Sequence, residues 1–352
     1  MTIVGSRVRG WLIAVVVLAG SLGGTPAALA EVPAPEPVCT VGDERLAELS
    51  GLVTTGDGWY AVNDGGSRLE VFALGRDCAV RDVLTDPTDP YDVEDLALAG
   101  DGTLWLGDTG DNDRDRDTVA LHAFDPGGGS VLYRLTYPDG PHDAEALLLD
   151  PAGTPYVITK NMLGDSGVYR PARELSSPGP TPLERVGTLR LTATDTPGGP
   201  LGGAGSVLVT GAATMPDGSV VAVRTYTDAY LYPVPDGDVV AALRQQPVRV
   251  PLPHEPQGEA IAFERDGTLL SASEGVGTPI RAVPGAAGLV SAASQDRPDA
   301  SREGGDGGPS PGTAEPDGED GREGLPVLPG IAVAVFVAAV LVFGIDRLRR
   351  RR

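Results

Sequence analysis

Five times along the chain, alternating apolar positions are introduced by the same short phrase. A polar residue or carboxylate comes first, then small or polar positions around an apolar one, then an Asp/Gly-type turn and a second apolar run. The copies are Glu48-Leu-Ser-Gly-Leu52, Asp92-Val-Glu-Asp-Leu96, Asp143-Ala-Glu-Ala-Leu147, Val209-Thr-Gly-Ala-Ala213 and Gln257-Gly-Glu-Ala-Ile261. Their turns fall at Gly56-Asp57-Gly58, Asp101-Gly102, Ala152-Gly153, Asp217-Gly218 and Asp266-Gly267. A period of roughly 40 to 50 residues built from short strands predicts an all-β fold, a β-propeller.

The second copy shows the unit in full. Its strands are predicted at 94–98, 103–107, 118–124 and 130–137, the last two alternating with the period of two expected of half-buried strands. The fifth copy has strands at 259–263, 268–272 and 279–283 and stops one short. The orphan segment 37–41 precedes the first copy and is predicted to supply the missing outer strand. That closes the ring and removes its exposed edges. Five blades is the count. A sixth is the alternative, because the interval between the third and fourth copies is long. Its surplus at 192–205 is rich in Gly, Pro and Thr and reads as a loop.

The ends of the chain change the picture. Residues 1–30 have the basic start, apolar middle and Ala28-Leu29-Ala30 cleavage site of a signal peptide. Residues 325–345 are 21 in number and uncharged, enough helix to cross a bilayer of about 30 Å. The basic tail at 346–352 places that end in the cytoplasm. Leu325-Pro-Val-Leu-Pro-Gly330 lacks the Thr of a wall-sorting signal, which favours a retained single-pass anchor in the cell membrane. Between them lie a propeller ectodomain at 31–284, outside the cell, and an acidic Pro/Gly-rich linker at 285–324 expected to be disordered.

The formal net charge is -22. Such a surface repels nucleic acid and suits cations. The two cysteines, Cys39 and Cys78, both fall in the exported part. In an oxidising compartment they are expected to pair, and closing that loop stabilises by roughly 4 kcal/mol in the chain-entropy model.

In a propeller, the entries to the first strands and the exits from the second strands ring one mouth of the central channel. Polar residues recur at those places, and a ligand-binding set is predicted there: Asp64, Glu145, Lys160, Asn161, Arg224, Tyr226, Glu259 and Glu274. Lys160 is the sole lysine of the chain. A metal set is predicted from Asp92, Glu94, Asp108, Asp111 and Asn112, whose hard oxygens suit calcium. Asp111, Asp113 and Asp115 begin like an EF-hand loop, but Arg116 stands where that loop needs Gly and His122 where it needs Glu. Within 31–284 there is no Gly-x-Ser-x-Gly elbow, no zinc-ligand spacing and no phosphate-binding Gly-rich loop. Catalytic residues are therefore not assigned.

These motifs, with Asn63-Asp-Gly-Gly66, Gly107-Asp-Thr-Gly-Asp-Asn112, Arg224-Thr-Tyr226 and Pro256-Gln-Gly-Glu-Ala-Ile261 among them, resemble a group of exported bacterial β-propeller proteins filed near the phytase-like propellers. The resemblance implies a propeller with calcium and a channel-mouth ring of carboxylates. Propeller phytases add several basic residues that hold phosphate; here Lys160 and Arg224 are the cations in place. The expected function is a membrane-anchored extracellular module that binds a small-molecule or protein ligand. The alternative is a calcium-dependent phytase-like phosphoesterase, or another hydrolase, at the same mouth. Nucleic acid is not an expected partner.

Overall fold

The computed structural model describes residues 32–295. The expected signal peptide at 1–30, the expected membrane span at 325–345, the tail at 346–352 and most of the expected linker at 285–324 lie outside the described residues. Among the described residues, no helix is long and apolar enough to cross a membrane.

Twenty strands group in fours. β1 (Glu36–Thr40) stands first. Then come β2 (Leu49–Thr54), β3 (Gly58–Asn63), β4 (Leu69–Gly75) and β5 (Val80–Asp86); β6 (Val93–Leu98), β7 (Leu104–Asp108), β8 (Val119–Phe124) and β9 (Ser130–Thr136); β10 (Ala144–Leu149), β11 (Pro155–Thr159), β12 (Asp165–Pro171) and β13 (Thr181–Arg190). The last sheets hold β14 (Val209–Thr214), β15 (Val220–Thr225), β16 (Asp228–Pro233) and β17 (Val248–Pro251), then β18 (Gly258–Phe263), β19 (Leu269–Ser273) and β20 (Pro279–Val283). Each set is an antiparallel meander in chain order. β1 completes the last sheet by pairing with β20, Glu36 opposite Ala282 and Thr40 opposite Pro279. The second and third sheets also touch at their outer edges through a short parallel pairing, Thr181 with Leu135 and Pro182 with Thr136.

The first strands β2, β6, β10, β14 and β18 each neighbour the next, and β18 returns to β2. That circle of meanders is the β-propeller arrangement. Five apolar clusters fill the wedges between successive sheets. In the wedge joining the first and last sheets, Leu52, Trp59 and Phe72 pack against Ala260, Leu270 and Ile280. Burial of this kind stabilises by about 25 cal/mol per Å² of apolar surface. Thr54 Oγ1 donates to the carbonyl of Phe263 across the same junction (2.7 Å). The disulfide Cys39–Cys78 ties β1 to the turn between β4 and β5.

The turn between the first and second strands of four sheets carries a glycine at positive φ: Gly102 (+92°), Gly153 (+85°), Gly218 (+73°) and Gly267 (+82°). A side chain is strained there, which is why the turn signal in the sequence was so regular. The surplus at 192–205 holds no strand; the short helical turn Gly202–Val207 leads from it into β14.

One boundary moves. The linker was expected to begin at 285, but after the short helix α1 (Val239–Ala242) in the fourth sheet a second helix, α2 (Ala286–Gln295), follows β20. Its Ala286, Ala287 and Val290 are buried against Val220, Leu231 and Phe263. Small residues that read as a flexible spacer are here the residues that let a helix lie close on the sheet.

Candidate functional site

All five inner strands break register at the same place. The pairing skips between Leu49 and Gly51, Val93 and Asp95, Ala144 and Ala146, Val209 and Gly211, and Gly258 and Ile261. A bulge inserts an extra residue into one strand and re-aims its side chain. The residues in the breaks are Ser50, Glu94, Glu145, Thr210 and, with Ala260, Glu259. Beside each break the second strand ends, at Asn63, Asp108, Thr159, Thr225 and Ser273. The next residues, Asp64, Thr109, Lys160, Tyr226 and Glu274, turn onto the mouth. The amides of Asp64, Lys160 and Glu274 bond back to the carbonyls of Glu48, Asp143 and Gln257 at 2.8, 2.9 and 2.9 Å.

Where the bulge residue carries a hydroxyl, it ties one sheet to the next. Ser50 Oγ donates to the carbonyl of Glu94, and Thr210 Oγ1 to that of Gly258 (2.8 Å). Where it carries a carboxylate, negative charge enters the mouth. Glu94, Glu145 and Glu259 are 5%, 3% and 4% exposed. Oxygens of Asp64, Asp92 and Glu94 lie within 4.8 Å of one another, and so do those of Glu94, Asp143 and Glu145. Glu94 belongs to both triads. Lys160 Nζ donates to Glu145 Oε1 and sits 5.1 Å from the centre of the Tyr226 ring. The remaining oxygen of Glu145, Oε2, is buried with no hydrogen-bond partner, as is Glu259 Oε2.

These environments set the protonation. Burial, reinforced by Asp64, Glu145 and Asp92, holds the Glu94 carboxyl well above its usual range. Burial pushes Glu145 up to about 8 against the pull of Lys160. Burial and then Glu145 raise Glu259, and burial raises Asp143. Burial works against the Lys160 ammonium, but Glu145 and the other nearby acids outweigh it and hold its proton well above the usual range. Carboxylates crowded in this way need a neutralising proton or cation. Gly110 completes the cradle: a Cβ there would collide with Glu94 Oε1 and Asp92 Oδ2. Buried oxygens without donors and carboxylates converging on bare backbone fit a hard divalent cation such as calcium.

The predicted metal set is regrouped. Asp92 and Glu94 are in the cluster. Asp108 Oδ1 accepts from the Asp92 amide (2.9 Å) and Arg116 Nη2 (2.9 Å), while its Oδ2 accepts from the Tyr91 amide (3.1 Å) and lies 3.2 Å from His122 Nε2. Despite burial, these donors hold the Asp108 carboxyl below its usual range. Asp111 caps its own loop, accepting from the amides of Asp115 (3.0 Å) and Arg116 (3.1 Å). Asn112 is exposed. The cluster gains Asp64 and Asp143 instead, drawn from flanking sheets.

The predicted ligand set divides as well. Asp64, Glu145, Lys160, Tyr226, Glu259 and Glu274 ring the mouth. Asn161 caps a turn by accepting from the Leu163 amide (2.8 Å). Arg224 is a correction: it is fully buried and donates to the carbonyls of Thr225, Ala260 and Ala272 and to Glu255 Oε2 (2.7 Å). Val209 pairs with Thr225 as Ala144 pairs with Thr159, so the partner of Lys160 in the fourth sheet is Tyr226, not Arg224.

Three further buried acids escaped sequence reasoning, among them Asp228, whose Oδ1 accepts from Arg249 Nη1 (3.0 Å). Glu255 pairs with Arg224. Asp95 lies beneath the mouth, accepting from the amides of Leu96 (2.8 Å), Leu147 (2.8 Å) and Ala212 (3.0 Å), so one carboxyl stitches three sheets together. Burial raises it to about 8, though the three amides favour its charge. Its signal was an acid following another acid inside an otherwise apolar strand.

No family model matches the sequence, and no curated protein matches it. Among solved structures, the chain is similar to a virginiamycin B lyase from Staphylococcus aureus, at 12% identity over 67% of this chain and 66% of that one, with a TM-score of 0.35. It is similar to an aldose sugar dehydrogenase from Streptomyces coelicolor in its PQQ-bound form, at 11% identity over 72% of this chain and 99% of that one, with a TM-score of 0.38. A gluconolactonase from Xanthomonas campestris matches at 17% identity over 72% of this chain and 86% of that one, also with a TM-score of 0.38.

Proposed function

We propose that this protein is a five-bladed, membrane-anchored extracellular propeller that binds its ligand through a divalent cation, calcium by the chemistry of its donors, held at the channel mouth. The observation that supports this best is the pair of carboxylate triads sharing Glu94, with a buried oxygen of Glu145 left without a donor. Asp64, Asp92, Glu94, Asp143 and Glu145 would hold the ion. A bound cation there supplies an electrophilic point to which an oxygen-bearing ligand attaches. The chain's own groups shape the rest: Tyr226 forms an aromatic wall, and Glu259 and Glu274 keep the far side acidic.

The second reading is a hydrolase at the same mouth. It is favoured by Glu145, a carboxyl that keeps its proton to about 8, in the range where a general acid serves near neutrality. A phosphoesterase is the less supported form of it, because Arg224 is enclosed and Lys160 is already joined to Glu145. Screening the full chain against phosphate and carboxyl esters, with and without calcium, separates the readings. Binding of calcium without turnover is expected. Turnover that Glu94→Gln and Glu145→Gln both abolish would overturn the binding reading. The anchor is tested by fractionation: the protein should stay with membranes through a high-salt wash, and recovery in the medium with its tail intact contradicts that.

A further inference from the structure

Lys160 brings the only ammonium side chain of the sequence to the edge of the acidic mouth. Its charge acts on Glu145, Tyr226, Glu259 and Asp143 together. Two of these carboxylates, Glu145 and Glu259, keep a buried oxygen that accepts no hydrogen bond. The ammonium donates to Glu145 Oε1 and lies against the Tyr226 ring, and Glu259 is a second candidate carboxyl acceptor. Glu145 is also a corner of the triad with Glu94 and Asp143. A divalent cation in that triad and the Lys160 ammonium lay claim to the same carboxylate, and two positive charges side by side in a poorly solvated site repel. A lysine stem is long and flexible enough to yield.

Resting on the cation reading above, we propose that Lys160 is the residue that sets cation selectivity at the mouth: its tethered ammonium holds Glu145 until a divalent ion displaces it, and it then moves to Glu259. A monovalent ion offers Glu145 no more charge than the ammonium already there. A divalent ion offers twice as much and leaves the ammonium a second buried carboxyl, Glu259, as a hydrogen-bond acceptor. The tether weakens apparent affinity by the fraction of molecules in which Glu145 is free, so a site free about a tenth of the time binds about tenfold more weakly.

The test uses the full chain labelled with ¹⁵N-lysine, which gives a single side-chain nitrogen resonance, read through its Hε protons during titration with calcium chloride. The Lys160 resonance is expected to shift in step with calcium binding and to reach a different end point in Glu259→Gln. Calcium is expected to bind Lys160→Met about tenfold more tightly than wild type, and sodium is expected to compete in that variant and not in wild type. Calcium binding with an unmoved Lys160 resonance, or with equal or lower affinity in Lys160→Met, overturns the proposal while leaving the cation reading standing. Absence of calcium binding in both wild type and Lys160→Met overturns both.

Discussion

Two buried groups of charge lie in the same propeller, and they are opposites. Around Arg224, four acceptors meet one guanidinium, and Glu255 answers with one oxygen on Arg224 and the other on Ser271 Oγ (2.6 Å). Around Glu94, five carboxylates face one ammonium, and an oxygen of Glu145 has no partner. Burial is similar in the two places, so burial alone does not mark function. The balance does. A buried charge that serves the fold is matched donor for acceptor, because leaving one unmatched is costly. The carboxyl cluster is less even: among the described residues, Glu145 Oε2 is buried with no hydrogen-bond partner, and that oxygen is what the cation reading proposes to fill.

The first way to break the comparison is to unbalance the balanced half. Arg224→Met leaves Glu255 buried without its counter-charge and should cost about 3–5 kcal/mol, measured by chemical denaturation. Calcium affinity in the surviving folded fraction should stay at the wild-type value. A loss of calcium binding at full stability would reverse the roles assigned to the two clusters.

On the cation reading, added calcium acts on the unbalanced half alone. Calcium at ten times its Kd should raise wild-type stability by about 1.4 kcal/mol, seen as a higher melting temperature than in EDTA. Glu94→Gln removes the carboxylate common to both triads and should abolish that rise. The same double comparison with Asp108→Asn/Asp111→Asn should keep it, since both acids are occupied by main-chain amides and Arg116.

Protons offer a smaller and graded probe. Glu145 and Asp95 are both raised to about 8 in the folded chain. An acid whose folded value lies above its unfolded one binds more protons when folded, so stability falls as pH rises. Without metal, these two groups contribute stability that is fully present below their ordinary values of 4.5 and 3.8 and is lost as pH climbs through about 8. Melting curves in EDTA from pH 5 to 8.5 should therefore decline, and Glu145→Gln should flatten the slope. Saturating calcium should flatten it too, because the ion takes the place of the proton at Glu145. A melting temperature that rises across this range contradicts the assignment.

Much of the architecture was written in local patterns. The five phrases, the glycine turns and the orphan strand at 37–41 each signal themselves within a few residues, and β1 does pair with β20. The mouth was legible as a ring, but its membership was not. In the fourth copy the phrase has no carboxylate, and Leu208-Val-Thr-Gly-Ala212 fits the pattern as well as the frame one residue later. The second strand of that copy runs on to Thr225, so of the two residues expected at the mouth, Arg224 and Tyr226, the register keeps Tyr226 there. The metal set is regrouped because closeness to Asp92 does not free an acid for a metal. Asp108 lies beside Asp92 but is taken up by the Asp92 and Tyr91 amides, Arg116 and His122, and Asp111 by the amides of Asp115 and Arg116, while Asp64 and Asp143 arrive from the adjoining sheets. Residues 286–295 look like the spacer that follows them, and only the apolar surface of the fourth and fifth sheets makes them a helix.

The central claim is that the surplus of carboxylate at Glu94 is matched by a divalent cation. Titration calorimetry of the full chain with calcium chloride at pH 7.5, in wild type and in Glu94→Gln, tests it most directly. The account predicts saturable binding at millimolar calcium or below in wild type and its loss in Glu94→Gln. No heat of binding in wild type, or an unchanged isotherm in the variant, would contradict it.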